Sequence, residues 1–166
     1  MIVILAALGG LFATTVRANR TNTLASEGQQ NAEAAIQLLK TELGLAGYRG
    51  TDPAANSRTF SSSTLVVTPE TSTLNRVTVR FFEDRYVACP SGQTYCPTER
   101  MLTFGVNTST KELTRQQDGG LNRAVVEGVT GLKVMDYLPG RGLTVRLTFA
   151  DETTKNVAIA LNNPQQ

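Results

Sequence analysis

Histidine is absent from all 166 residues. That excludes a Ser-His-Asp triad, a Cys-His dyad and any histidine-ligated metal within the chain. An excess of either charge is also missing, since 16 Lys and Arg stand against 14 Asp and Glu, a net of +2. Dedicated nucleic-acid binders carry a strong basic excess, so nucleic acid is not a supported partner. A low net charge with 40% hydrophobic residues argues against disorder over most of the length. There is no phosphate loop and no GxGxxG turn, no internal repeat and no low-complexity tract. Lys111, Lys133 and Lys155 are scattered, none within a Ser-x-x-Lys arrangement. No catalytic residue, cofactor or metal is expected.

Cysteine is limited to Cys89 and Cys96, with six residues between them, Gly92 included. Two thiolates with no histidine and no second cysteine pair leave a metal shell incomplete. A disulfide bracing a small turn is favoured over free thiols. Closing so short a loop is worth about 2–3 kcal/mol, and a disulfide places that segment outside the cytosol. Glu83-Asp84 and Asp151-Glu152 offer adjacent carboxylates. Solvated charges at a strand end and in a hairpin turn are the simpler reading. Ser61, Ser62 and Ser63 read as loop.

From Met1 to Ala13 every residue is apolar or glycine, and Thr14-Thr15-Val16 extends the run to Arg17. Sixteen helical residues reach roughly 24 Å, short of the roughly 30 Å of a bilayer core. Three readings compete: a membrane helix lacking its first residues, the apolar part of a signal peptide, and a buried core helix. The abrupt apolar start favours the first. A signal peptide lacks its basic leader and Ala-x-Ala site here, and an all-round apolar helix suits a small core poorly. Arg17 and Arg20 run against a non-cytosolic head under the positive-inside tendency, unless a basic leader upstream overrules them. Gly9-Gly10 suits either close helix packing or a bend.

Proline is missing from 17–47, so one helix is expected from Met1 to about Leu45. Ala32, Ala35, Ile36, Leu39 and Leu43 recur at three- and four-residue steps on one face, and Gly44 and Gly47 are stop signals. The expected organisation is a helix over 1–47, apolar over 1–16 and amphipathic over 24–46, then a β-rich head over 48–166. In the head, period-two runs predict strands at Thr64–Thr68, Arg76–Phe82, Arg100–Val106, Glu112–Arg115, a run from Ala124 to Tyr137, Leu143–Phe149 and Asn156–Leu161. The last two form a hairpin.

Asn31-Ala-Glu-Ala-Ala-Ile-Gln-Leu-Leu-Lys-Thr-Glu-Leu-Gly-Leu-Ala-Gly-Tyr-Arg-Gly50 resembles the helix end of PilW-like minor pilins. Val126-Glu-Gly-Val-Thr-Gly-Leu-Lys-Val-Met-Asp-Tyr137 resembles a later strand of that family, and Asn156-Val-Ala-Ile-Ala-Leu161 its close. J-type pseudopilins of type II secretion share this plan. The family's Gly-Phe-Thr-Leu-Ile-Glu cleavage motif is absent, and Met1-Ile-Val-Ile-Leu5 looks like the continuation just after it, so a native start upstream of Met1 is expected.

The resemblance implies a type IV pilin-like α+β fold, a long N-terminal helix packed on an antiparallel β-sheet head. It implies a non-enzymatic minor pilin or pseudopilin that helps initiate or cap a type IV pilus, with twitching, adhesion or DNA uptake as system-level roles. Ile2, Val3, Ile4, Leu5, Leu8, Leu11 and Phe12 would pack in the membrane and then in the filament core. Ile36, Leu39 and Leu43 would pack helix to sheet. The implied partners are other pilins and minor pilins through the helix, the inner membrane before assembly, and an inner-membrane assembly platform. The implied location is the bacterial inner membrane with a periplasmic head, then a cell-surface or periplasmic filament. The other expectations are a type II secretion pseudopilin, a β-rich periplasmic binding domain released from a signal peptide, and a carboxylate hydrolase using Glu83 or Asp84.

Overall fold

The structure, a computed structural model, describes residues 2–50, 59–72, 74–83, 98–139 and 141–161, with side chains from Thr15 onward, Leu24 excepted. Among the described residues, one helix, α1 (Ile2–Leu43), is followed by eight strands: β1 (Leu65–Pro69), β2 (Asn75–Glu83), β3 (Thr98–Asn107), β4 (Glu112–Gln117), β5 (Arg123–Glu127), β6 (Val129–Leu138), β7 (Gly142–Phe149) and β8 (Thr154–Ala160). They form two antiparallel sheets, a five-stranded one in the order β1-β2-β3-β4-β5 and a three-stranded one in the order β6-β7-β8.

Alternation sets the faces. Val77 and Val79 on β2, Leu102 and Phe104 on β3, and Leu113 on β4 point into one core. Leu143, Val145, Leu147 and Phe149 on β7, with Val157 and Ile159 on β8, meet them from the second sheet. A strand with one apolar face must bury it against another layer, and each sheet is that layer for the other. The chain passes between sheets at Gly128, whose φ of 79° lies in the left-handed region. A residue with a Cβ is strained there. The run from Ala124 to Tyr137 is therefore two strands in two sheets. Local alternation is continuous across the break, and only the backbone turn at Gly128 divides it.

The end of α1 closes the side of this sandwich. Ala35, Leu39 and Leu43 are fully buried in the shared core, and Ala32, Ile36 and Leu38 pack against it. The helix touches β5 and β8, an edge strand from each sheet. Edge strands expose unpaired backbone groups that invite association, so one element shields both. Gly44 permits this approach. A Cβ there would lie 2.6 Å from the Lys40 carbonyl oxygen and 3.3 Å from that of Ala160 on β8. Arg115 Nε donates to Glu42 Oε2 at 2.6 Å, tying the last turn of α1 to β4. Beyond the helix, the Gly47 amide donates to the Arg80 carbonyl at 2.9 Å and the Phe82 amide to the Tyr48 carbonyl at 2.8 Å, clasping β2 past the end of β1.

The expected pilin-like α+β fold is corrected by this architecture. Among the described residues the protein is mostly β, with two packed antiparallel sheets, and no long helix lies along a sheet head. From Thr15 to Gln30 the described helical side chains are exposed, and burial begins only at Asn31. The reason lies in the sequence of that stretch. Arg17, Asn19, Arg20, Asn22, Glu27, Gln29 and Gln30 place polar groups all round the helix, leaving no stripe for a sheet to cover.

Candidate assembly surface and the head faces

Two regions are candidates for function: the part of α1 before Asn31 and the outer face of the five-stranded sheet. About 29 helical residues precede Asn31, roughly 43 Å of rod at 1.5 Å per residue. Ile2, Val3, Ile4, Leu5, Leu8, Leu11 and Phe12 lie on this part of α1, and their side chains fall outside the description. Along the polar stretch the helix supports itself locally. The Thr21 hydroxyl donates to the Arg17 carbonyl and that of Thr23 to the Asn19 carbonyl, each at 3.0 Å. Val16 is half exposed. Among the described residues no helix is long and apolar enough to cross a membrane. Ile36, Leu39 and Leu43 sit at the other end of α1, against the head core.

The outer face of the five-stranded sheet is polar and partly covered. At one end Phe60 stacks on Phe82 with ring centroids 4.8 Å apart. Ser61 beside it donates to Glu99 through its hydroxyl at 2.8 Å and its amide at 3.0 Å. Arg80 Nη1 reaches the same carboxylate at 3.2 Å. Burial opposes ionisation of Glu99, but the Ser61 and Arg80 hydrogen bonds outweigh it and hold the carboxyl below the usual glutamate range. On the opposite face, at the end of the row that carries Leu102 and Phe104, Arg100 bridges Glu83 and Asp118, each at 2.9 Å. The Glu83 hydrogen bond is the largest influence on that guanidinium and, with Asp118, raises its pKa against desolvation. Glu83 is thus one arm of an ion-pair bridge, and this engagement gives no support to a general acid or base role. Asp84, its proposed companion, lies outside the described residues, as do Cys89 and Cys96.

Asp151 holds the β7–β8 turn by accepting from the Thr153 hydroxyl at 2.7 Å and amide at 3.0 Å. The Thr153 hydroxyl is the main reason its carboxyl lies below the ordinary aspartate value. Among the described residues no three Asp, Glu or Cys side chains come together to hold a metal ion.

Sequence reasoning missed several polar contacts. Asn75 is buried on the inner face of β2, and its Oδ1 accepts the Val134 amide of β6 at 2.7 Å. Thr78 and Thr103 face each other across β2 and β3 with hydroxyls 3.0 Å apart. Each pairing spans a long stretch of chain, so no local pattern announces it. Compared with family models, curated proteins and solved structures, the chain matches none.

Proposed function

We propose that this protein is a non-enzymatic subunit that joins a helix-cored filament, the role of a minor pilin or pseudopilin. The observation that carries the reading is the division of α1. Its last turns are built into the head, while the described side chains from Thr15 to Gln30 are exposed. An apolar run of that kind at the far end of a rod needs an apolar environment. Lipid before assembly and neighbouring apolar helices afterwards both supply one. The head would then lie outside the cytosol, where a Cys89–Cys96 disulfide is stable.

The reading rests on the helix and not on the head, whose two sheets give it no support. Initiating or capping a type IV pilus and serving a secretion pseudopilus are both consistent with such a subunit. The implied partners remain other pilin-like subunits, the inner membrane and its assembly platform. A charge placed at Leu5 or Leu8 should block incorporation while the head still folds, because a charged side chain among packed apolar helices costs several kcal/mol. Normal incorporation of such a variant overturns the proposal.

A further inference from the structure

The part of the outer sheet face left uncovered by Phe60 and Ser61 forms an open polar groove of about 310 Å³. Its floor is one row across four strands. Arg76 on β2 stands opposite Gly105 on β3, because Val77 pairs with Phe104 next to them. Gly105 pairs with Thr114 on β4, and Thr114 with Ala124 on β5. Asn107 and Glu112 pair one step along and close one end, and Asn122 lies at the β5 side.

Gly105 is the telling residue. Glycine in a strand interior costs roughly 0.5–1 kcal/mol against alanine, and it commonly marks close approach of a ligand or another backbone. Elsewhere in this head the fold itself demands glycine. At Gly142 a Cβ would lie 2.6 Å from the Ile159 carbonyl oxygen, and at Gly131 it would lie 3.0 Å from Thr148. At Gly105 it would meet only the Thr114 hydroxyl at 3.7 Å and Arg76 Nε at 3.9 Å, ordinary contact distances. Its φ is outside the left-handed region as well. Neither backbone nor packing requires glycine there, and its effect is to keep the centre of the groove open.

The polarity of the lining is fixed by its own bonds. Asn107 Oδ1 accepts from the Ser109 amide at 3.1 Å and the Thr110 amide at 3.4 Å, which leaves its NH2 as a donor. The Thr114 hydroxyl donates to the Gly105 carbonyl at 3.1 Å, so its oxygen is left to accept. Arg76, held by Glu70 at 2.6 Å, donates, and Glu112 accepts. Arg76 is already paired with Glu70 and Glu112 already accepts from the Thr110 hydroxyl, so a charged ligand of either sign finds a like charge beside each unlike one, and an apolar ligand strands polar groups on every side. A ligand dense in both donors and acceptors, with no charge of its own, satisfies all of them. The volume is at the lower end of small-ligand pockets.

We propose that this groove is a binding site for a short neutral saccharide, a site independent of the filament role. The test is a two-dimensional amide NMR titration of the full chain, in a detergent without a sugar headgroup. Maltose, cellobiose, lactose and diacetylchitobiose are the probes, with acetate and tetramethylammonium as charged controls. At least one disaccharide should give saturable shifts centred on Gly105, Asn107 and Thr114, and the controls should give none there. Gly105→Leu should abolish those shifts while the spectrum of the β6–β8 sheet is unchanged. Should that variant not fold, Glu112→Gln and Asn122→Ala carry the test through an affinity loss of several-fold or more. Absence of saturable shifts with all four sugars overturns the proposal. So does saturation by the charged controls at the groove, or sugar binding undiminished in the groove variants.

Discussion

Asn75 shows how much one buried amide does in this head. The free edge of β6 presents the Val134 amide near a register shift between Val134 and Asp136. The Asn75 carbonyl oxygen satisfies it from the opposite sheet. Asn75→Ala leaves a part-buried donor without its partner, which should destabilise the head by about 1 kcal/mol or more. Urea unfolding of the variant beside the native chain measures this, and a change below about 0.5 kcal/mol would remove Asn75 from the account. Glu99 makes a second claim at the same scale. Its native pKa is below that of the unfolded chain, so folding favours the ionised form. Its stabilisation is present above about pH 4 and is lost as pH falls through the depressed native value. Glu99→Gln should flatten the acid limb of a stability–pH curve below about pH 4 while leaving its slope near neutrality alone. An unaltered acid limb would show that Ser61 and Arg80 do not hold the carboxylate as described.

At the scale of elements, α1 is two helices in one. Leu39 sits where the core of both sheets meets the helix, and Leu39→Ala should cost about 2–5 kcal/mol in chemical denaturation. Ala25→Ser, on the exposed stretch, should change stability by under about 0.5 kcal/mol. Equal effects from the two would mean that the exposed turns pack on the head after all.

Most elements were legible in the sequence because their signals are local. The three- and four-residue steps of Ala32, Ala35, Ile36, Leu39 and Leu43 mark the packed face of α1. The alternation around Val77 and Leu143 marks β2 and β7. What was not legible was the partition of strands into sheets. Ala124 to Tyr137 reads as one continuous apolar run, and only the left-handed backbone at Gly128 sends its halves to different layers. The expectation of a pilin-like head failed for that reason, and also because helical period alone does not say how far along a helix a sheet reaches. The groove was illegible too. No motif links Arg76, Gly105, Thr114 and Ala124, and strand register alone aligns them.

At the scale of the whole molecule, the head and the rod answer to different forces. The head is held by one core shared between two sheets and the last turns of α1. The described side chains from Thr15 to Gln30 lie outside that core, which leaves that stretch of helix available for use elsewhere. On the proposed reading, the apolar start of the helix would exchange lipid for neighbouring helices while the head keeps its fold. The groove faces away from the core, so a ligand there and neighbours on the helix need not compete.

The most direct measurement places Leu8→Glu and Leu8→Ile versions of the full chain in the native cell and quantifies each in the filaments isolated from it, pili sheared from the surface and pseudopili from the periplasm. Head folding is followed in parallel by thermal unfolding of the purified variants. The account predicts that Leu8→Ile is incorporated like the native chain, that Leu8→Glu is missing from filaments, and that the head transition is the same in both. Incorporation of Leu8→Glu at the native level, or absence of the native chain itself from such filaments, would contradict it.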